Sequence, residues 1–236
     1  MLLNKIIVRI STVLFIVSTL LFSLIFAVFS NAYDLDFYVD EYHKYELSKY
    51  VGLDEEDYRY GMSQLIQYCK GQTDSIQTSA TIYGQYSETM FNQREIDHMK
   101  DVRQLAQNVE TLQDVCMIVS LVSALILIIG KGKNYFNTFI STSKITYMLI
   151  VGAIIGLLIM VFANFDLFWT TFHHIFFPSN DLWLLNPATD IMIRMLPGEL
   201  FNDLVLQIAW LFIVLFLIVN GIMIAIIRQK GNYLYD

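Results

Sequence analysis

Residues 94–112, REIDHMKDVRQLAQNVETL, set an ionisable cluster just ahead of an apolar run, and their periodicity decides the fold. On a helix, Phe91, Arg94, His98, Val102, Leu105, Val109 and Leu112 recur at steps of three and four, so His98 falls inside a mostly apolar stripe. Asp101 lies one turn after it and Arg94 one turn before. An imidazole on a packing face, with a carboxylate at i+3 and a guanidinium at i−4, is either a satisfied structural group or a tuned acid/base. No proline or glycine interrupts residues 92 to 129, so a single helix is expected there, amphipathic at first and apolar from Val115 to Ile129.

Three further apolar runs, Ile10–Phe29, Ile145–Phe165 and Leu204–Ile227, are each about 20 residues or longer, enough for a helix to cross roughly 30 Å of hydrocarbon. With 56% hydrophobic and 14% aromatic residues and a mean hydropathy of +0.50, the 236-residue chain is too apolar for an ordinary soluble domain. Lys5, Arg9, Lys131, Lys133, Lys144, Arg228 and Lys230 flank the spans on one side, where Asp236 is the single acid. The other side holds 21 of the 22 acidic residues. By the positive-inside rule both termini are cytoplasmic, and two regions, from Asn31 to Asp114 and from Asp166 to Asp203, face outward. An acidic exterior argues against nucleic acid as a partner.

The expected fold is therefore a mainly α membrane protein, with four transmembrane helices and a small mixed α/β extracellular cap between the first and second. Its division is an anchor over 1–30, the cap over 31–91, an amphipathic helix continuing into the second span over 92–130, and a cytoplasmic loop over 131–144. The third span follows over 145–165, then an extracellular aromatic-rich re-entrant or interfacial segment over 166–203, and the fourth span with a cytoplasmic tail over 204–236. Lys5, Arg9 and the small residues around Ser30 resemble a signal peptide, but an apolar run of about 20 residues exceeds a typical h-region and favours an uncleaved anchor. In the cap, Asp54 is a plausible N-cap for a helix through Lys70 that buries Tyr58, Met62, Leu65, Ile66 and Cys69 and stops at Gly71. Residues 74–86 favour one or two short strands. Gly152 and Gly156 form a GxxxG pair suited to close helix contact. Cys69 and Cys116 are compatible with a bridge or with two free thiols.

The other informative stretch is FDLFWTTFHHIFFP over 165–178, followed by Trp183, Pro187, Asp190, Arg194 and Pro197. An interfacial aromatic belt explains the Phe and Trp residues but not His173 and His174, because ionisable groups at membrane depth face a partner or a cavity. Asp190 and Arg194, one turn apart on a short helix starting at Asn186-Pro187, are most simply an ion pair.

The residues leave several chemistries open. His98, Asp101 and one of His173/His174 would serve as zinc ligands in a membrane hydrolase, although no HExxH or paired CxxC is present. Two imidazoles would equally serve as acid and base in acyl transfer, with Asp101 or Asp97 fixing the tautomer of His98. There is no GxSxG elbow to supply a serine nucleophile. A non-enzymatic membrane chaperone or adaptor with an acidic cap is the alternative from another class.

Glu95-x-x-His98-Met99-x-Asp101-Val102 leading into the second span, and Phe172-His173-x-x-Phe176-Phe177 with Trp183, Pro187, Asp190 and Pro197 after the third, resemble the bacterial lipoprotein intramolecular transacylase family. The resemblance implies that a diacylglyceryl lipoprotein is the substrate, among membrane lipids and with no cofactor or metal. Its sn-2 acyl chain would move to the α-amino group of its own N-terminal cysteine. It further implies that His98 and His173 are catalytic, with His174 the neighbouring alternative. Asp101, Arg94, His174, Asp190 and Arg194 would then support the site, and Met99, Val102, Trp169, Phe172, Phe176, Phe177 and Trp183 would line the substrate pocket.

Overall fold

The computed structural model describes residues 2–232. In chain order its elements are α1 (Leu2–Ala32), α2 (Leu35–Lys44), α3 (Ser48–Val51), α4 (Glu55–Cys69), β1 (Ala80–Ile82), β2 (Gln85–Ser87), α5 (Gln93–Ile129), α6 (Lys133–Ala163), α7 (Phe165–Phe176), α8 (Ile191–Met195) and α9 (Gly198–Asn232). Four of the helices, α1, α5, α6 and α9, are long and apolar enough to cross a membrane. Their many large exposed side chains, Ile10, Leu121, Leu149 and Leu217 among them, exceed what the surface of a soluble protein carries and suit acyl chains as solvent.

Two compact units divide the chain. One consists of Met1–Ala27, Thr111–Trp169 and Ala209–Asp236. Within it, Asn220 on α9 donates to Thr19 Oγ1 on α1 at 3.2 Å and accepts from the Tyr147 hydroxyl on α6 at 2.8 Å. This interhelical polar network is the kind that pins helices where no hydrophobic force between them operates. Two expectations for this unit need correction. The loop over 131–144 is replaced by a turn at Gly130–Gly132, because residues 133–144 lack helix breakers, Gly132 takes φ +102°, and Tyr135 packs where a side chain on Gly130 would sit. The GxxxG pair faces no neighbour among the described residues: a Cβ on Gly152 or Gly156 would meet nothing within 4 Å there.

The second unit, Val28–Glu110 with Thr170–Ile208, carries most of the polar sequence. Its core is built from aromatics and methionines: Phe37, Tyr38, Tyr42, Tyr58, Met62, Met90, Phe91, Met99, Met192 and Met195 cluster with Leu53, Leu65, Leu200 and Leu204. Tyrosines enter this core because their hydroxyls find carbonyls: Tyr42 donates to Leu53 O at 2.9 Å and Tyr58 to Met195 O at 3.1 Å. α4 starts at an Asp54 cap that accepts from Asp57 N at 2.9 Å and ends before Gly71, as its sequence predicts. β1 and β2 form an antiparallel hairpin turning at Tyr83-Gly84. α9 begins at Gly198, ahead of the expected 204, because Pro197 supplies a starting signal and Leu200 and Leu204 belong to this core. Both cysteines are free and buried. Burial pushes the Cys69 thiol up to about 11, so it stays protonated at neutral pH.

Gly52 ties the hairpin to α3. It adopts φ +76°, its carbonyl accepts from Tyr83 N at 2.7 Å, and a Cβ there would lie 2.6 Å from the Tyr83 ring. Gly52→Ala should therefore lower stability by about 2 kcal/mol or more, through left-handed strain and displacement of Tyr83. Thermal unfolding of the detergent-solubilised protein checks this.

Candidate functional site

α5 starts with a reciprocal capping box. Asn92 Oδ1 accepts from Glu95 N at 3.2 Å, and Glu95 Oε2 accepts from Asn92 N at 2.7 Å. The second oxygen of Glu95, a residue only 1% exposed, accepts from Met192 N of α8 at 2.6 Å. One buried carboxylate thus completes the start of two helices, and His98 follows it by one turn. α7 places His173 in its last turn and stops before Pro178, with Phe177 N donating to His173 O at 2.7 Å.

These two elements bring the imidazoles together. His98 and His173 are both buried, and their ring centroids lie 6.4 Å apart. Phe177 packs against both, its edge toward His98 at 5.6 Å and its ring tilted on His173 at 5.9 Å. Trp183 stacks on His173 at 4.6 Å with 22° between planes, and Phe172 meets His173 edge-on at 5.3 Å. His174 is exposed and reaches only the edge of Trp183, at 5.4 Å. Geometry thus selects His173 over its neighbour as the imidazole beside His98.

The remaining expected site residues divide. Met99 is buried in the core of the second unit, and half-buried Val102 packs against that core. Phe176 packs on Phe172 at 4.7 Å and is 45% exposed. Trp169 belongs to the other unit, where it stacks on Phe165 at 6.0 Å. Arg94 Nη2 donates to the backbone carbonyl and the carboxylate of Asp181.

Two polar expectations are corrected. Among the described residues, neither Asp101 nor Asp97 hydrogen-bonds to His98: Asp101 Oδ2 accepts from Asn180 Nδ2 at 2.8 Å, and Asp97 accepts from Gln93 and Lys100. Asp190 and Arg194 are not an ion pair either. Residues 187–189 form a turn instead of a helix, and Arg194 lies over the Tyr83 ring and donates to its hydroxyl at 3.3 Å. Asp190, 3% exposed, accepts from Asn186 N at 2.6 Å, Thr189 Oγ1 at 2.7 Å and Asn92 Nδ2 at 2.8 Å.

Burial alone would raise the Asp190 carboxyl, but these three donors and the nearby Arg94 charge outweigh it and hold the group below its usual value. A depressed folded pKa stabilises above the unfolded value, and the benefit is lost as pH falls through the folded one. The stability difference between wild type and Asp190→Asn should therefore be full near pH 7 and shrink as pH drops below about 4. Unfolding midpoints of both proteins across that range test it.

Among the described residues no three His, Cys, Asp or Glu side chains converge closely enough to hold a metal ion, and Asp101, the third ligand of the zinc arrangement, turns to Asn180. Sequence reasoning missed Glu95, Asn92 and Asn180 as supports of the site. The Asn-x-x-Glu spacing of a capping box was the available signal for the first two.

Comparison with curated proteins gives no sequence match. Among solved structures, the membrane integral lipoprotein intramolecular transacylase Lit from Bacillus cereus superposes with a TM-score of 0.75 at 17% identity, over 95% of this chain and 97% of that one. A form of the same protein with alanine replacing a histidine gives 0.72 at 16% identity, over 95% of each chain. At that identity the likeness establishes a common fold. A family model described as lipoprotein intramolecular transacylase Lit matches residues 13–201. The chain belongs to the lipoprotein intramolecular transacylase Lit family.

Proposed function

We propose that the protein moves the sn-2 acyl chain of a diacylglyceryl lipoprotein onto the α-amino group of that lipoprotein's own N-terminal cysteine, leaving a lyso-form lipoprotein. The polar unit forms a cap on the outer face of the plasma membrane, and both termini lie in the cytoplasm. The observation that carries this reading is the pair of buried imidazoles from α5 and α7, 6.4 Å apart and walled by Phe177, Trp183 and Phe172.

Counted through the thioether, amine and ester carbonyl close a ring of about eight members in the transition state. Such a ring is floppy in solution. Holding its two ends together in an aromatic enclosure supplies several of the roughly 7–11 kcal/mol that proximity can contribute. The α-ammonium has a pKa near 7.7–8.0, so one imidazole takes its proton as the amine attacks. The C–N bond forms, the C–O bond to sn-2 breaks, and the other imidazole protonates the departing alkoxide. No enzyme nucleophile is required, in keeping with the protonated thiol of Cys69.

Intramolecular transfer makes an isomer. Purified protein given a diacylglyceryl lipopeptide should therefore abolish labelling by an amine-reactive reagent without changing the lipopeptide mass, and fragmentation should place the acyl group on nitrogen. Release of fatty acid would instead indicate a hydrolase, and an unaltered lipopeptide a non-catalytic protein.

A further inference from the structure

The carboxylate expected to orient His98 contacts the other side of the site. Asp101 Oδ2 accepts from Asn180 Nδ2 at 2.8 Å, and the same amide's Oδ1 accepts from Leu182 N at 3.0 Å. Both ends of the Asn180 side chain are thus engaged, which fixes its orientation and builds the turn over 180–182 on it. Asp181 is held from the same face of α5 by Arg94, and its carbonyl also accepts from Leu184 N at 3.0 Å. The residue this turn presents is Trp183, 9% exposed, whose indole lies nearly parallel on the His173 ring at 4.6 Å.

We infer that Asp101 and Asn180 are positioning residues for His173: by clamping the turn to α5 they hold Trp183 against that imidazole and so fix its plane relative to His98. The inference rests on the two-histidine reading above and extends it, because α5 then supplies one imidazole and sets the orientation of the second. Removing either partner leaves both histidines in place and loosens the stack, and a displacement of about 1 Å at a reacting group can cost 100-fold in rate.

Asp101→Ala, Asn180→Ala and the double variant, assayed by amine capping of a diacylglyceryl lipopeptide, provide the test. Each single variant should lower kcat by about 10- to 100-fold with KM little changed, and the double should be no worse than Asn180→Ala, because that variant already removes the bond to Asp101 together with the bond from Leu182 N. The exchanged pair D101N/N180D, which restores an amide-to-carboxylate bond with the partners reversed, should recover most of the rate. Asn180→Ala at wild-type activity while Asp101→Ala is impaired would overturn the inference, as would multiplied losses in the double or an exchanged pair as poor as Asp101→Ala. In protein whose other tryptophans are replaced (W169F/W210F), Trp183 emission should shift with D101A and at least as far with N180A, which also loses the bond from Leu182 N, and an emission unchanged by either would also overturn it. This optical readout stands apart from turnover: wild-type protein that caps no amine would sink the transferase reading, whereas emission reports on the clamp itself.

Discussion

Protein carrying His98→Ala or His173→Ala is expected to convert lipopeptide about 100- to 10,000-fold more slowly than wild type, the range associated with one positioned acid or base. In the proposed reaction the proton taken from the amine and the proton given to the sn-2 oxygen belong to one reaction coordinate, so the double variant should be little worse than the poorer single. His174→Ala is the internal control. That side chain is exposed and touches only the edge of Trp183, so its loss should change the rate by a few-fold at most. Rates from amine capping, with unfolding midpoints measured beside them, separate lost chemistry from lost structure. Folded His98→Ala or His173→Ala protein with near wild-type turnover would remove the substituted imidazole, and with it the two-histidine mechanism.

Glu95→Ala should give the largest loss of stability among single changes in the second unit, about 3–5 kcal/mol. The carboxylate is 1% exposed and accepts from Asn92 N and Met192 N. Truncation strands the buried Met192 N at about 1–3 kcal/mol, undoes the part-buried cap on Asn92 N and leaves a void as well. The unfolding midpoint should fall by roughly 10 °C. Glu95→Gln keeps an acceptor for one of the two N–H groups and should lose about half as much. Since His98 lies one turn along from Glu95, turnover at low temperature should fall more steeply with Ala than with Gln.

The features legible in the sequence are those encoded locally. Asp54 as a cap, the buried face of α4, short strands near residues 74–86 and the unbroken helix through His98 all follow from residue order, because each depends on neighbours within a turn or two. The pairing of His98 with the 173–174 segment was legible at the level of elements, through topology and family resemblance. Which histidine packs inward was decided by how α7 lies against Trp183 and Phe177. The polar supports were not legible. Asp101 has an obvious local candidate in His98 at i−3, yet its partner is Asn180, and Asp190 ignores Arg194 at i+4 for Asn92. Helical spacing nominates pairs on one helix, whereas these contacts depend on how two distant segments meet, which no periodicity encodes. The loop expected over 131–144 failed for a related reason: Lys133 and Lys144, read as part of a cytoplasmic loop, belong to α6, and topology rules count charges without asking about backbone.

The contacts joining the start of α5 to residues 180–192 are mostly bonds between a carboxylate and an uncharged donor: Asp101 with the Asn180 amide, Asp190 with the Asn92 amide and Glu95 with the Met192 peptide N–H. Their one ion pair, Arg94 with Asp181, is largely exposed. Dissolved electrolyte weakens attraction between full charges at the surface and barely touches short bonds to neutral groups in the interior. The grip on the two imidazoles should accordingly lose only the contribution of Arg94 as ionic strength rises, so that turnover falls far less in brine than at a site held by surface ion pairs alone.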